Sequence, residues 1–147
     1  MQLLHRTRVE EEYKSVLQSP HNIGLTIWSP LKFGFLSGKY LETTAAEAQG
    51  RLMIDKSTNY KGYVHERTAQ YRDATITPEN VEKLRKSMVV AKELNCTMPQ
   101  LAIAWILKNE HVSSIITGAS RKQQVTENFA ALNIVKKLTP EVMKRLD

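Results

Sequence analysis

Ser114-Ile115-Ile116-Thr117-Gly118-Ala119-Ser120-Arg121-Lys122-Gln123-Gln124-Val125-Thr126-Glu127-Asn128 joins a short apolar strand to the start of a helix through a small-residue turn. A strand that feeds directly into a helix is half of a βα unit and makes a ready anion site. The first-turn N–H groups have no partner within the helix, and the positive end of the helix dipole faces the turn. Ser120 is expected to be the N-cap, with Gln123 three residues on completing a capping box. Arg121 and Lys122 add positive charge where a phosphate would sit.

Outward from this stretch, Ile23 to Trp28 has β-branched and aromatic residues between turn signals and predicts a second strand. It should stop at Ser29-Pro30, because proline cannot donate to a ladder. Helices surround the two strands. Val9 to Leu17 carries apolar residues at helical spacing behind acidic residues. Thr77-Pro78 caps a helix whose Val81, Leu84, Met88, Ala91 and Leu94 share one face. Thr97-Met98-Pro99-Gln100 is a capping box that opens Leu101 to Leu107, apolar nearly all round and therefore buried. Arg121 to Leu132 predicts another helix, and Thr139-Pro140 caps the last. From Leu41 to Ile76 the chain is polar without a sustained period, which predicts a long surface excursion with one helical turn near Ala45 to Gln49. Trp105 is expected in the core, and Trp28 has the same reading in any α/β protein.

The chain has 147 residues, the size of one ordinary domain, with 41% hydrophobic residues and a formal net charge of +6. That charge favours anionic partners, but the basic residues are dispersed among acidic ones, which fits a solvated mixed surface better than a nucleic-acid interface. Cys96 is the single cysteine, so neither a disulfide framework nor a cysteine-cluster zinc site forms within one chain. A reducing, cytoplasmic compartment is expected, since no apolar run could span a bilayer and the N-terminus lacks a signal-peptide core. An isolated pair of parallel strands cannot cover its own edges. Either the helices form the body or the chain belongs to something larger.

Trp28-Ser29-Pro30-Leu31, followed by Gly34-Phe35-Leu36-Ser37-Gly38-Lys39-Tyr40, resembles a signature of the aldo-keto reductase superfamily, in the branch that holds voltage-gated potassium channel β subunits. The resemblance continues through Cys96 to Trp105, Val112 to Ser120 and Glu127-Asn128, and includes Leu4-His5-Arg6 and Arg8-Val9-Glu10 near the start. It implies an α/β fold that is the C-terminal portion of a (β/α)8 barrel: strands seven and eight with their helices, one partial domain over residues 1–147. A whole barrel takes about 250 residues, so this one would be incomplete.

The resemblance also implies NADPH as cofactor. Trp28, Ser29, Pro30 and Leu31 match the segment along the pyrophosphate and ribose, and Lys39 matches a residue that reaches the phosphates. Gly118, Ser120, Gln124, Glu127 and Asn128 match the adenosine 2′-phosphate and adenine end. Arg121 can add charge there, and Arg51 matches an arginine of the loop after strand seven. Lys32 and Phe33 depart from the small residues usual at their positions. The implied partners are NADP(H), a small carbonyl substrate, a second copy of the chain, or an ion-channel α subunit. Nucleic acid and direct membrane insertion are not expected.

The family's catalytic tyrosine, lysine, aspartate and histidine match no position here. Tyr13, Tyr40, Tyr60, Tyr63 and Tyr71 are available phenols, none at the catalytic position. His5, His21, His65 and His111 are scattered and expected at the surface. Catalytic and metal sites are therefore expected to be absent. The resemblance implies an aldehyde- or ketone-reducing parent enzyme, or else a catalytically inactive regulatory or channel-accessory module.

Overall fold

Helix α4 (Met98–Leu107) lies at the centre of the molecule, and its sequence, Met-Pro-Gln-Leu-Ala-Ile-Ala-Trp-Ile-Leu, explains why. Met98 and every residue from Leu101 to Ile106 are buried, so the helix has no face to give to solvent. Its start is fixed as the sequence predicts. Gln100 N–H donates to Thr97 Oγ1 at 3.3 Å, and Thr97 N–H donates to Gln100 Oε1 at 3.0 Å. The computed structural model describes residues 1–41, 50–53 and 65–147, with the backbone alone for residues 51, 65–67 and 69.

Strands β1 (Leu25–Trp28) and β2 (Val112–Ile116) are parallel neighbours, with Ile27 opposite Ile115 and Trp28 opposite Ile116. β1 ends at the expected residue but starts two residues later, and β2 ends one residue before the expected Thr117. Ile27 is buried and Leu25 and Ile115 half-buried on the covered face, while Thr26, Trp28, Ser114 and Ile116 are exposed on the other. Among the described residues neither strand has a further partner, so one sheet face and both outer edges are bare. Trp28 is 71% exposed, which corrects its reading as a core aromatic: it belongs to the face that no helix covers. Trp105 is in the core, with the Arg6 guanidinium 5.1 Å from its ring centroid.

The remaining helices are α1 (Lys14–Leu17), α2 (His65–Thr75), α3 (Pro78–Glu93), α5 (Lys122–Ala130), α6 (Leu132–Val135) and α7 (Pro140–Leu146). A π-helical turn at Arg8–Glu12 precedes α1, so the single predicted helix over Val9 to Leu17 is two short pieces meeting at Tyr13. The helix expected from Arg121 to Leu132 likewise stops at Ala130 and restarts as α6. Helix α2 overturns part of the predicted polar excursion. Among its described side chains Thr68 and Thr75 are the buried ones, and its sequence carries no apolar period to read. The helical turn expected at Ala45 to Gln49 lies outside the described residues, as do Tyr60 and Tyr63.

Long-range polar contacts tie the ends together. Arg145 forks onto Glu93 at 2.7 and 3.0 Å, joining α7 to α3. Arg6 bonds Asp147 at 2.6 Å and Glu10 at 2.7 Å. Burial disfavours the Arg6 charge, yet the hydrogen bonds to Glu10 and Asp147 outweigh it and hold its pKa above the ordinary value.

The central helix makes a direct stability test. Leu101→Ala and Ile106→Ala should each cost about 2–5 kcal/mol in denaturant unfolding through lost burial and residual cavity. Thr97→Ala should cost about 1 kcal/mol through the lost cap. Core variants no more damaging than the cap variant would contradict a core centred on α4.

Candidate dinucleotide-binding site at the strand ends

Because β1 and β2 are parallel and their last residues, Trp28 and Ile116, are in register, the segments that follow leave the sheet side by side. The segment after β1 is held in an uncommon backbone path. Ser29, Lys32 and Phe33 have φ of 51°, 47° and 55°, the left-handed region that costs a non-glycine residue of order 1 kcal/mol or more. Gly34 and Gly38 continue it at 87° and 84° without that cost.

Buried Pro30, Phe35 and Leu36 anchor this loop to the core. Lys32 N–H donates to Ser29 C=O at 3.0 Å, Gly34 and Leu36 N–H to Leu31 C=O at 2.9 and 3.1 Å, and Ser37 O–H to Gly34 C=O at 2.7 Å. The resulting 3-10 turns over Lys32–Ser37 pack on α4. Leu31 is half-buried against the core, leaving exposed Trp28 at the mouth.

At the second segment the capping differs from the sequence reading by one residue. Arg121, in extended conformation, is the N-cap of α5, and Gln124 rather than Gln123 completes the arrangement. Gln124 Oε1 accepts Ser120 N–H at 2.8 Å, Arg121 N–H at 3.2 Å and Ser120 O–H at 3.2 Å. Gln124 N–H donates to Arg121 C=O at 3.1 Å. The Ser120 side chain is therefore a donor to Gln124 and not the helix cap. The shift follows from Ala119-Ser120 remaining in the turn, which starts the helical path at Lys122.

Three donors that converge on one oxygen are the chemistry an anionic oxygen would meet, with exposed Arg121 and Lys122 beside them. One turn on, Glu127 is half-buried and Asn128 buried, and Glu127 C=O accepts Gln100 Nε2–H at 3.4 Å, tying α5 to the α4 cap. Gly118 lies exposed in the turn.

Lys39 is exposed, and its ammonium rests 4.9 Å from the Tyr40 ring centroid. The backbone of Arg51 opens the turn Arg51–Met53; its side chain lies outside the described residues. Sequence reasoning missed Tyr40, which is buried and bonded to both loops. Its signal was present in Gly34 and Gly50, two residues without side chains flanking it. Tyr71 is exposed against Phe33 at 5.4 Å, and Tyr13 is exposed. His5 and His21 are at the surface as expected and His111 is half-buried, while the side chain of His65 is not described. Among the described residues no cluster of His, Cys, Asp and Glu could hold a metal ion.

A groove of about 680 Å³ runs between the N-terminal segment and β1, lined in part by His5, Arg6, Trp28, Ser29, Lys32 and Phe33. Burial pushes the Lys32 ammonium below its ordinary pKa. Burial, then Lys32, the N-terminal ammonium and Lys83 push His5 down in turn.

The family model for "Aldo/keto reductase family" matches residues 1–147. The chain belongs to the aldo/keto reductase family. That family implies a (β/α)8 barrel, and the α/β architecture with parallel strands agrees with it. Among its relatives, this reductase-family chain is 36% identical over 145 residues to a "Probable voltage-gated potassium channel subunit beta" of Oryza sativa subsp. japonica, covering 99% of the chain and 40% of that protein. It is 37% identical over 142 residues to the Arabidopsis thaliana protein of the same description, covering 97% and 39%. A "Putative voltage-gated potassium channel subunit beta" of Schizosaccharomyces pombe is 36% identical over 134 residues, covering 89% and 35%. The chain thus spans less than half the length of these relatives.

Desolvation in the groove, together with its positive charges, predicts how His5 titrates. Its imidazole should titrate below the reference value of 6.5, and Lys32→Gln should raise it, as read from proton shifts in NMR. With its folded pKa depressed, the unfolded chain binds more protons near and just below pH 6.5. Stability should therefore fall as pH drops through that window, and less steeply in His5→Gln. An unshifted His5 would contradict its desolvation in the groove, and one indifferent to Lys32→Gln would contradict the proximity of that cation.

Proposed function

We propose that this chain is the NADPH-binding C-terminal part of an aldo-keto reductase, with β1 and β2 as barrel strands seven and eight. Its parent activity is the NADPH-dependent reduction of aldehydes or ketones. The observation that carries the reading is the side-by-side exit of two specialised segments from in-register parallel strands. Ligand chemistry in such barrels sits on the loops at the strand C-termini, and both segments occupy that end. The bare sheet face, with Trp28 and Ile116 exposed, supports a partial barrel, because barrel strands present that face to other strands. So does the exposed stripe of Val125, Phe129 and Leu132 on α5 and α6.

The donor set fits the cofactor. Ser120 and Arg121 would hold the 2′-phosphate once Gln124 Oε1 yields its place, with Glu127 and Asn128 toward the adenine. Trp28, Ser29, Pro30 and Leu31 would lie along the ribose and pyrophosphate, with Lys39 and Arg51 supplying charge. NADPH supplies hydride when bound. The residues of this chain bind and orient it, while the proton for the carbonyl oxygen comes from a tyrosine that this chain's motifs do not match.

The missing match favours a second reading, a catalytically inactive regulatory or channel-accessory module that binds NADP(H) or partner proteins. The relatives' descriptions as potassium channel subunits support it. Channel association and assembly with a second copy are part of that reading. No helix among the described residues is long and apolar enough to cross a membrane.

Calorimetric titration tests the cofactor assignment that both readings share. The chain should bind NADP+ more tightly than NAD+, and Ser120→Ala or Arg121→Ala should weaken NADP+ by roughly tenfold, as expected for a lost hydrogen bond to a charged group. NADPH absorbance should not decay with a simple aldehyde and this chain alone. Robust turnover would overturn the assignment of catalysis to missing residues, and equal affinity for both dinucleotides would overturn the 2′-phosphate assignment.

A further inference from the structure

Lys39 and Tyr40 are packed between two glycines. A Cβ at Gly34 would stand 3.1 Å from Lys39 Cε, and one at Gly50 would collide with the Lys39 ammonium and the Tyr40 hydroxyl. Gly34 has φ of 87° and Gly50 of 156°, so the backbone path calls for glycine at both, and at Gly50 the buried Tyr40 hydroxyl leaves no space for a side chain. The Tyr40 ring is buried in the core cluster, and its hydroxyl works in two directions. It donates to Phe33 C=O at 3.1 Å and accepts Leu52 N–H at 3.3 Å.

One buried hydroxyl thus bridges the left-handed loop after β1 and the turn that carries Arg51. Phe33 sits at a strained φ of 55°, and its carbonyl has its direction fixed by this bond. Both bridged segments belong to the proposed cofactor site, while Tyr40 itself lies beneath them in the core. We propose that Tyr40 is a positioning residue for the dinucleotide: its hydroxyl sets the spacing between the post-β1 loop and the Arg51 turn, and so the shape of the seat for the pyrophosphate. The inference rests on the cofactor reading above. It assigns no contact between Tyr40 and the cofactor, and no chemistry to its phenol.

Tyr40→Phe removes the oxygen and leaves the buried ring in place. NADP+ and adenosine 2′,5′-bisphosphate, which carries the adenosine phosphate end without the pyrophosphate bridge, are titrated into the full chain and the variant by calorimetry. The strut predicts NADP+ weakened roughly three- to tenfold, the range of one or two ordinary hydrogen bonds, with the bisphosphate unchanged. Affinities that fall equally for both ligands would assign Tyr40 to general stability, and unchanged NADP+ affinity would remove it from the site; either overturns the proposal. A native chain that binds the bisphosphate but not NADP+ also overturns it. Failure to bind either ligand instead overturns the cofactor reading on which it rests. Amide exchange of Leu52 gives a ligand-free check: it should accelerate in Tyr40→Phe, and an unchanged rate would contradict the bridge.

Discussion

Burial of α4 on every side is the constraint on which the rest of the molecule depends. A helix running Leu-Ala-Ile-Ala-Trp-Ile has no polar face, so it must be covered by several elements at once. β2, α3, α5, α6 and the loop after β1 all pack on it. Three of these elements, β2, α5 and the loop after β1, form or precede the candidate site. The helix that supplies the core therefore also fixes where the two strand-end segments stand. The Gln100 side chain links both roles: it closes the Thr97 cap and reaches Glu127 C=O on α5.

The sheet shows the opposite condition. Its covered face is anchored by Ile27 and Ile115, yet Trp28 and Ile116 stand in the open beside each other. Large apolar side chains in register on one uncovered face are a local conflict for an isolated fold, and they coincide with bare strand edges. In the aldo/keto reductase family such strands lie within a closed barrel, and the same end of the sheet carries ligand chemistry. On the proposed reading, exposure of the sheet and location of the site are two consequences of one architecture. At the helix start, Gln124 already satisfies the donors of Ser120 and Arg121, so the proposed anion binding would exchange one oxygen acceptor for another.

Much of this was legible residue by residue. Thr77-Pro78, Thr97 to Gln100 and Thr139-Pro140 announce their helices because a cap is a local hydrogen-bond motif. The strand cores were legible from β-branched residues, and the order of motifs from Trp28 to Asn128 pointed to the family. Helix α2 was not legible, because its sequence carries no hydrophobic period, and among its described side chains the buried ones are Thr68 and Thr75. The α5 cap was misplaced by one residue for a related reason. Ser120 and Gln123 satisfy the cap pattern as well as Arg121 and Gln124 do, and only the path out of β2 selects between them. Trp28 departs from its expected burial because aromatic character says that a side chain is costly to expose, without saying whether anything covers it.

By itself the sequence determined the capped helices, the two short strands, the buried character of α4 and the residue types gathered near the strand ends. These are set by interactions spanning one to four residues, which local order in the chain encodes directly. The tertiary structure alone decided the parallel pairing of β1 with β2, the register that sets Trp28 beside Ile116, and the bare face on which both stand. It also decided that one Tyr40 hydroxyl bridges Phe33 and Leu52, and that Gln124 takes the donors of Ser120 and Arg121. The bridge and the pairing join residues far apart in the chain, and the Gln124 contacts depend on where β2 delivers the turn. All of them exist only once the buried helix has brought the strand ends together.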